Sequence, residues 1–503
     1  MGKSETFQDL SLMPPAEGQE LGHWLYGELR AAILDGRLKP GSRMPSTRGL
    51  SKQYALARGT VAVAFDHLKS EGYVETSVGA GTFVAAHIPD ESIAVQACPP
   101  EVAVEQSKAG LASRGQASVD GVRLLPASRS AGAAFRSYEP AIDLFPVSLW
   151  SRVAGRVMRN APRSLYGQGD ARGYLPLRKA IAEYVGPARG VRCDADQIIV
   201  TSGTQQALDL VARMLLDPGD AVWMEDPGYP GARFSFRAAG ATVLAVPVDQ
   251  YGLIVEEGRN LRPDAKLAYV TPANQFPLGV VMSPHRRAEL LDWASTRNAW
   301  IVEDEYDAEY RYSGPPVPSL QSQDRSGCVI YMGTFTKMLF NSLRLGFVVL
   351  PQRIVEPFAA ARTFLDRHPP TLDQAILADF IMEGHFGHHV RRMRQTYARR
   401  RNVLCDASCG LADRLDVVQV ASGMRTLGWV KTRQPDTQVA LRARSLGLEV
   451  AALSEFTVRH TKPGALILGF AGCSAAELRR GVAVLAGALE SSQPDAAVAN
   501  QGA

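Results

Sequence analysis

Hydrophobic residues near the amino terminus recur at the spacing of an amphipathic helix in LGHWLYGELRAAILDG, and the glycine at its end stops the helix. Ser46 is placed to cap a second helix, and a third helix carries Val61 and Phe65 inward. The stretch GYVETSVGAGTFVAA then forms two short strands around a glycine-containing turn. A helix–turn–helix followed by a hairpin is the winged-helix arrangement, which we predict for residues 21–89.

From about residue 136 to residue 488, short β-branched runs alternate with longer helical patterns. The runs include QIIVTSG, DAVWMEDPGY, LAYVTPANQFP, AWIVEDEY and CVIYMGTF. Strands separated by helices indicate an α/β fold in which helices cover a mainly parallel sheet. Residues 90–135 are instead rich in alanine, serine, glycine and valine, a composition that buries little surface and predicts a flexible linker.

The composition narrows the class of protein without identifying it. The 503 residues are 46% hydrophobic and 21% charged, which fits globular domains and excludes a wholly disordered or coiled-coil chain. No apolar run reaches the ~18–20 residues that span a bilayer, and Met1–Pro15 lacks the pattern of a secretion signal. The six cysteines are scattered, which favours free thiols in a reducing cytoplasm. We therefore expect a cytoplasmic protein with no membrane segment and no metal site, the group His385, His388 and His389 included.

Local charge is more informative than the formal net charge of +4. Between Arg37 and Arg58 the chain carries six lysines or arginines and no acidic residue. A basic stripe of this kind is the electrostatic footprint that neutralises nucleic-acid phosphates. On charge alone, a small helical domain with a solvated charged face remains an equal alternative.

The sequence motifs in this region favour DNA binding over a solvated charged face. PG-x-R-x-P-S-x-R-x-L, R-x-T-V, L-x-x-E-G-Y and G-x-G-T-F resemble the winged-helix domain of GntR-family regulators over about 70 residues. The resemblance implies a double-stranded DNA operator, contacted by Arg48 of the second helix and by Arg58 at the start of the recognition helix. It further implies that Thr60 lies near the DNA and that Gly79, at the tip of the wing, approaches the minor groove.

Lys337 follows the apolar strand CVIYM and is flanked by small hydroxyl residues. A lysine at the end of a buried strand can form a Schiff base with an aldehyde cofactor. Taken alone, an exposed loop lysine is the commoner interpretation. The neighbouring residues favour the cofactor, because several are suited to bind a phosphate dianion through hydroxyl, guanidinium or helix-terminal N–H groups. These residues are Ser202, Gly203, Thr204, Thr334, Thr336 and Arg344.

Three further side chains follow strand ends and suit a pyridine ring. A buried carboxylate at Asp304 would keep the ring nitrogen protonated, and the Tyr306 hydroxyl could bond the ring oxygen. Tyr229 offers a flat ring for stacking. Doubly wound sheets bind their ligands at the carboxyl ends of strands. Each of these side chains has an alternative interpretation as a packing or loop residue, but their shared position at strand ends favours one common ligand site.

With these motifs, residues 136–488 resemble the fold-type I aminotransferases. The resemblance implies pyridoxal 5'-phosphate as cofactor, Lys337 as its Schiff-base lysine, and a smaller α/β subdomain beside the main sheet. It implies the ring-nitrogen carboxylate at Asp304, the ring-oxygen partner at Tyr306 and the stacking ring at Tyr229. The residues that it implies for phosphate binding are Gly203, Thr204, Thr334 and Arg344. It also matches Tyr166 to the tyrosine that reaches the phosphate of the neighbouring subunit, which implies a homodimer.

Two departures from the aminotransferase pattern bear on activity. Phe276 stands where many aminotransferases carry a cofactor-touching asparagine, and Asn274, two residues earlier, is the candidate substitute. Ile467 stands where the arginine that clamps the substrate α-carboxylate is usual, so ordinary amino-acid turnover is not expected. Arg425 is an alternative anion contact, with an unrelated surface arginine equally open. For the basic run Arg391–Arg401 we favour a solvated helix face over an auxiliary DNA contact.

The whole arrangement resembles the MocR/GabR-type transcriptional regulators. The resemblance implies a pyridoxal-phosphate-dependent, DNA-binding regulator that senses an amino acid, an amine or pyridoxal phosphate itself, as a head-to-tail, domain-swapped homodimer. Effector binding would shift the smaller subdomain and act through the linker on the DNA-binding heads. The alternatives are a working aminotransferase with an appended DNA-binding domain and a regulator that has lost its cofactor.

Overall fold

The computed structural model describes residues 10–16, 18–77, 80–88, 133–459 and 462–490, with a few positions between 110 and 119. The chain divides into two compact units, Met1–Ala109 and Gly110–Ala503. Most of the predicted linker, residues 90–135, lies outside the described residues, so its flexibility there stays a prediction. The prediction is wrong for residues 133–135, which are buried in the second unit and hydrogen-bonded to it. In the described parts of the chain, no helix combines the length and the apolar character needed to cross a membrane.

The first unit contains three helices and a hairpin in the predicted order. Ser46 caps the second helix, its hydroxyl accepting a hydrogen bond from the Gly49 N–H at 3.0 Å. The turn between the second and third helices passes through Ala55 with a left-handed φ of 52°. The two strands pair antiparallel from Val74↔Val84 to Ser77↔Gly81. The elements are α1 Leu21–Leu34, α2 Thr47–Gln53, α3 Arg58–Ser70, β1 Val74–Ser77 and β2 Gly81–Val84.

The second unit is built on an eight-stranded sheet with the order β3-β10-β9-β8-β7-β4-β5-β6. The strands from β9 to β5 in this order run parallel, whereas β10 is antiparallel to both its neighbours and β6 to β5. The predicted mainly parallel sheet is therefore confirmed. The strands are β3 Ile198–Thr201, β4 Ala221–Asp226, β5 Thr242–Asp249, β6 Gly252–Leu253, β7 Leu267–Val270, β8 Trp300–Glu305, β9 Val329–Thr334 and β10 Gly346–Val349.

Both faces of this sheet are buried, which explains why its strands read as continuous apolar runs. Val222 and Tyr269 enter one core cluster, while Trp223 enters another, where it stacks on Trp293 at 3.8 Å between ring centroids. The flanking helices of the unit are α4 Val147–Asn160, α5 Leu175–Arg189, α6 Thr204–Leu215, α7 Pro230–Ala238, α8 Val255–Leu261, α9 Pro284–Arg297, α10 Gln352–Leu365, α11 Thr371–Met382 and α12 His385–Ser408.

A smaller subdomain follows, as the aminotransferase resemblance implies. Its four antiparallel strands have the order β11-β12-β14-β13, and α12 and two further helices pack with them. Residues 133–137 lie along this sheet, because the Gly469 N–H at the end of β14 donates to the Phe135 carbonyl at 3.2 Å. The elements are β11 Leu415–Val417, β12 Arg425–Val430, α13 Asp436–Ser445, β13 Ala451–Ala452, β14 Ala465–Gly469 and α14 Ala475–Ala488.

Candidate cofactor site

A cavity of about 160 Å³ opens at the carboxyl ends of the central strands. This is where the parallel strand order predicts a ligand site. Most of the residues proposed from the sequence line it. They are Gly203, Thr204, Tyr229, Asp304, Tyr306, Thr334, Thr336, Lys337, Arg344 and Arg425.

Lys337 follows β9 and points into the cavity. Its Nζ donates to the Tyr138 carbonyl at 2.6 Å and lies 3.4 Å from Asn341 Oδ1. Burial, with smaller contributions from the positive charges of Arg425 and Arg344, lowers the pKa of this ammonium to about 8. At pH 7 roughly a tenth of the amine is therefore neutral, which is the form that attacks an aldehyde.

Asp304 lies at the end of β8, fully inside the protein. Its Oδ2 accepts a hydrogen bond from the Tyr269 hydroxyl at 2.7 Å. Its Oδ1 is buried with no hydrogen-bond partner among the described residues. Burial raises the pKa of this carboxyl to about 7, against the lowering effect of the Tyr269 bond. An N–H donor at Oδ1 would satisfy the free oxygen and stabilise the charged form.

Arg425 comes from β12 of the smaller subdomain and reaches the same cavity. Its Nη2 donates to the Tyr306 hydroxyl at 2.8 Å, and that hydroxyl donates to the Asn274 carbonyl at 2.6 Å. The guanidinium lies 4.4 Å from the centroid of the Phe276 ring. In the described part of the chain, no carboxylate lies within salt-bridge distance of it. A buried cation of this kind is suited to an anionic ligand.

The residues predicted to bind phosphate converge at the start of α6. Arg344 Nη2 donates to the Ser202 carbonyl at 3.0 Å, so Ser202 supports the arginine rather than lining the cavity with its side chain. Gly203 has a φ of 94°, and a Cβ there would lie 3.3 Å from Arg344 Nη2. Glycine therefore lets the guanidinium approach the first turn of the helix. Thr334 and Thr336 are buried beside them, and Thr336 Oγ1 has no partner among the described residues.

Besides Ser202, two further predicted cofactor residues, Asn274 and Tyr166, do not line this cavity with their side chains. The Asn274 amide is turned away and donates to Asp307 Oδ1 at 2.7 Å, while Phe276 lines the cavity in its place. Asn274 thus contributes its main-chain carbonyl and not its side chain. Tyr166 is 61% exposed, and its hydroxyl lies 3.3 Å from the Met158 carbonyl.

Ile467 is 1% exposed and belongs to an apolar cluster with Phe276 and Phe456. The strand register pairs Ile467 with Leu427 and Gly469 with Arg425. Side chains two residues apart on one strand share a face, so Arg425 lies on the same face of the smaller sheet as Ile467, on the neighbouring strand. The chain therefore carries a cavity-facing arginine close to the position where the aminotransferase pattern expects one.

Sequence reasoning missed four cavity residues, Tyr138, Gln205, Tyr269 and Thr271. Tyr269 is the third residue of the apolar strand LAYV, and its register partner on the neighbouring strand, Val302, lies two residues before Asp304 and on the same face, which is a signal that could have been used. Thr271 bonds the buried Glu225, with its hydroxyl 2.6 Å from Glu225 Oε2. Tyr138 lies far from the others in the sequence, and no motif marks it.

The proposed DNA contacts lie on the surface of the first unit. Arg48 on α2 and Arg58 at the first position of α3 are exposed, and Thr60 is half-buried on α3. Arg37, at the start of the basic stripe, is instead paired with Asp35 at 2.8 Å and donates to the Ser11 carbonyl at 2.9 Å. Gly79 lies outside the described residues.

The basic run Arg391–Arg401 lies on α12, and several of its side chains bond to protein groups. Arg394 Nε donates to the Glu309 carbonyl at 2.8 Å, and the buried Arg400 pairs with Asp143 at 2.7 Å. Arg401 Nη1 donates to the Val420 carbonyl at 2.7 Å. The interpretation as a solvated face is therefore wrong for Arg400, which fixes a loop to the helix.

The two units together define a class of protein, a winged-helix DNA reader joined to an aminotransferase-like domain. Residues 23–84 match the gntR family of bacterial regulatory proteins, and residues 138–485 match aminotransferase class I and II. The chain belongs to the MocR-type transcriptional regulators of the GntR family.

Two regulators and one solved aminotransferase structure are similar to this chain. The probable rhizopine catabolism regulatory protein MocR of Rhizobium meliloti is 40% identical over 477 residues, which cover 93% of this chain and 94% of that protein. The regulator TauR of Rhodobacter capsulatus is 33% identical over 414 residues, covering 79% and 81%. Among solved structures, kynurenine aminotransferase of Pyrococcus horikoshii, crystallised with PMP, has a TM-score of 0.66 and 25% identity, covering 76% of this chain and 95% of its own.

Proposed function

We propose that this regulator binds operator DNA in the cytoplasm through residues 21–89 and senses a small amine, an amino acid or pyridoxal phosphate through residues 136–488, with residues 90–132 as a flexible linker. The observation that carries the proposal is the pairing of Lys337 with Asp304 in one cavity, where Asp304 Oδ1 is buried without a partner among the described residues. The fold and this residue set suit pyridoxal phosphate, whose pyridine N–H is the donor that Asp304 lacks.

The residues that would hold the cofactor divide by chemical group. Lys337 would bind its aldehyde carbon, Asp304 its ring nitrogen and Tyr306 its ring oxygen, with Tyr229 against the ring. The hydroxyl of Thr336, which has no partner among the described residues, can donate to a phosphate oxygen. The remaining phosphate-binding residues would be Ser202, Gly203, Thr204, Thr334 and Arg344.

Pyridoxal phosphate supplies an aldehyde that condenses with amines and a protonated ring that withdraws electrons from the carbon of a bound amine. Lys337 provides the amine, and its lowered pKa keeps part of it neutral. Asp304 holds the ring proton in place, since a carboxylate beside it stabilises the pyridinium. The first turn of α6 and Arg344 neutralise phosphate charge.

Arg425 is proposed to bind an anionic group of the effector. Its guanidinium is buried in the cavity without a carboxylate partner among the described residues, and it lies between the Phe276 and Tyr306 rings. Because the usual carboxylate-binding position is the buried, apolar Ile467, we propose sensing rather than sustained turnover. Complete transamination of an amino acid with an oxo acid is the competing function, favoured by the intact pair Lys337 and Asp304.

A homodimer, head-to-tail and domain-swapped, is part of the proposal. Supporting it, Tyr166 is 61% exposed and does not line the cavity of its own chain. Ile142, Val147 and Met158 are also more than half exposed, and all three lie before Tyr166 in the first elements of the second unit. Exposed apolar residues of this kind suit a surface covered by a second copy.

Borohydride reduction tests the central assignment. Reduction of the full-length chain with pyridoxal phosphate, followed by peptide mapping, should attach the cofactor to Lys337 alone. An unlabelled Lys337 in folded protein would refute the proposed cofactor site. Steady conversion of an amino acid and an oxo acid by the same preparation would favour the enzyme over the sensor.

A further inference from the structure

Tyr138 is the cavity residue that contacts Lys337 most closely. Its main-chain carbonyl accepts the Lys337 Nζ–H at 2.6 Å, and Nζ lies 5.5 Å from the centroid of its ring. The two residues are 199 positions apart in the sequence. The amine is thus held by both the main chain and the ring of one half-buried residue.

The residues just before Tyr138 are fixed to the smaller subdomain. Main-chain bonds join Glu449 N to the Ala134 carbonyl at 3.0 Å and Gly469 N to the Phe135 carbonyl at 3.2 Å. A Cβ on Gly469 would lie 2.2 Å from the Arg136 carbonyl oxygen, so glycine is required for this close approach. The Tyr138–Lys337 contact therefore joins a segment attached to the smaller subdomain with a loop of the large sheet.

This segment is also the part of the second unit that adjoins the linker in the sequence. Residues 133–139 begin at the carboxyl end of the predicted linker, which leads back to the winged helix. Phe135 is completely buried and has a left-handed φ of 69°. A non-glycine residue in this conformation is held by its surroundings, so the segment is sensitive to changes in its neighbours.

We propose that Tyr138 is a positioning residue for Lys337, through which the bonding state of the lysine amine is transmitted to residues 133–139. This rests on the proposed function, because it requires Lys337 to react with an aldehyde. If the Lys337 amine condensed with an aldehyde, its two hydrogens would leave with the departing water, and the neutral imine nitrogen would have no hydrogen to donate to the Tyr138 carbonyl. An amine effector that replaces the lysine gives up two hydrogens and restores two to Lys337.

Cofactor and effector thus have opposite effects on one hydrogen bond. Cofactor attachment removes the Lys337 donation, and effector binding returns it. This supplies the difference in interaction energy between two states that a ligand needs in order to shift a conformational equilibrium. Residues 133–139, which contain the Tyr138 carbonyl, are joined through the linker to the DNA-binding domain. The Tyr138–Lys337 contact is therefore placed to transmit a change at Lys337 towards that domain.

Hydrogen exchange measured by mass spectrometry tests the inference with pyridoxal phosphate as the probe. In the full-length wild-type chain, attachment should make the amides of residues 133–139 exchange about fivefold faster, as expected when one hydrogen bond is lost. Tyr138→Phe, the matched control, keeps ring and carbonyl and should show the same change. Tyr138→Ala and Tyr138→Leu lose the ring that holds the carbonyl against the amine, and the change should fall below about twofold.

The pH midpoint of cofactor attachment distinguishes a positioning role of Tyr138 from a role in packing alone. Without the Tyr138 ring, water reaches the Lys337 amine and stabilises the ammonium, so the pH midpoint of cofactor attachment should move to higher pH in Tyr138→Ala and not in Tyr138→Phe. Lys337→Ala should exchange fast in this segment with or without the probe. If wild-type protein gains the visible absorption of bound cofactor with no change in exchange, or if both ring-less variants keep the full change, the inference is wrong. If no visible absorption appears, the proposed function itself fails.

Discussion

The DNA-contact residues of the winged helix and the cofactor residues of the aminotransferase-like domain differ most in their exposure to water. Arg48 and Arg58 are exposed and close together in the sequence, on adjacent helices. Asp304 and Arg425 are buried and Lys337 is half-buried at one cavity, and the three come from different strand ends or loops. An exposed arginine keeps its ordinary charge, whereas burial changes the chemistry of a lysine or a carboxylate. The first site therefore depends on charge and position, and the second on its surroundings.

Replacing Lys337 should give the largest difference between the two regions, because cofactor binding should be lost while DNA binding persists. Lys337→Ala removes the amine that reacts with the aldehyde, so we expect complete loss of the visible absorption of bound cofactor and of any effector response. Operator binding measured by gel shift without effector should persist. The matched control is Lys179→Ala, since Lys179 is exposed on α5. A normal cofactor spectrum in Lys337→Ala would contradict the assignment.

Arg58→Ala should affect only the DNA-binding region. If Arg58 reads a base, operator affinity should fall by roughly 1–3 kcal/mol, and if it contacts phosphate, the salt dependence should become shallower. The cofactor spectrum should be unchanged. Arg37→Ala is the control, because Arg37 is already engaged by Asp35 and Ser11. Equal binding by wild type and Arg58→Ala would remove Arg58 from the interface.

Arg425→Gln sharpens the comparison by testing a buried charge. A charged hydrogen bond to a carboxylate is worth ~1.5–3 kcal/mol, so wild-type protein should favour amino acids over the amines that lack the carboxylate. The measurement is a titration of the cofactor spectrum with each amino acid and with the amine that lacks its carboxylate. The preference for the amino acid should disappear in the variant. An unchanged preference would show that Arg425 does not bind the anionic group.

The pH dependence of cofactor attachment should give the smallest effect. Only the neutral amine reacts, so the rate of attachment to cofactor-free protein should rise as pH passes through about 8, well below the ~10.4 of an ordinary lysine. In Arg425→Gln a positive charge near Lys337 is lost, the pKa rises, and the midpoint moves to higher pH. A wild-type midpoint at the ordinary lysine value would mean that the amine is not buried.

The sequence predicted the elements of both units and most of the cavity, because the cavity residues follow recognisable apolar strands. Lys337 and Asp304 are examples, each placed directly at or after a buried run. It did not predict Tyr138, whose position depends on main-chain contacts between residues far apart in the chain. Nor did it predict that Asn274 turns towards Asp307, since side-chain orientation is decided by a partner that no local pattern reveals.

The position of β10 constrains the order in which the protein can become functional. Among the described strands of the large sheet, β3 is bonded to β10 alone, so within the sheet Gly203, which follows β3, is connected to the other strands through residues 346–349. Because β10 comes after Lys337 in the chain, we expect a nascent polypeptide to complete the cavity only once these residues have been synthesised. The winged helix is synthesised earlier and can fold before the cavity is complete.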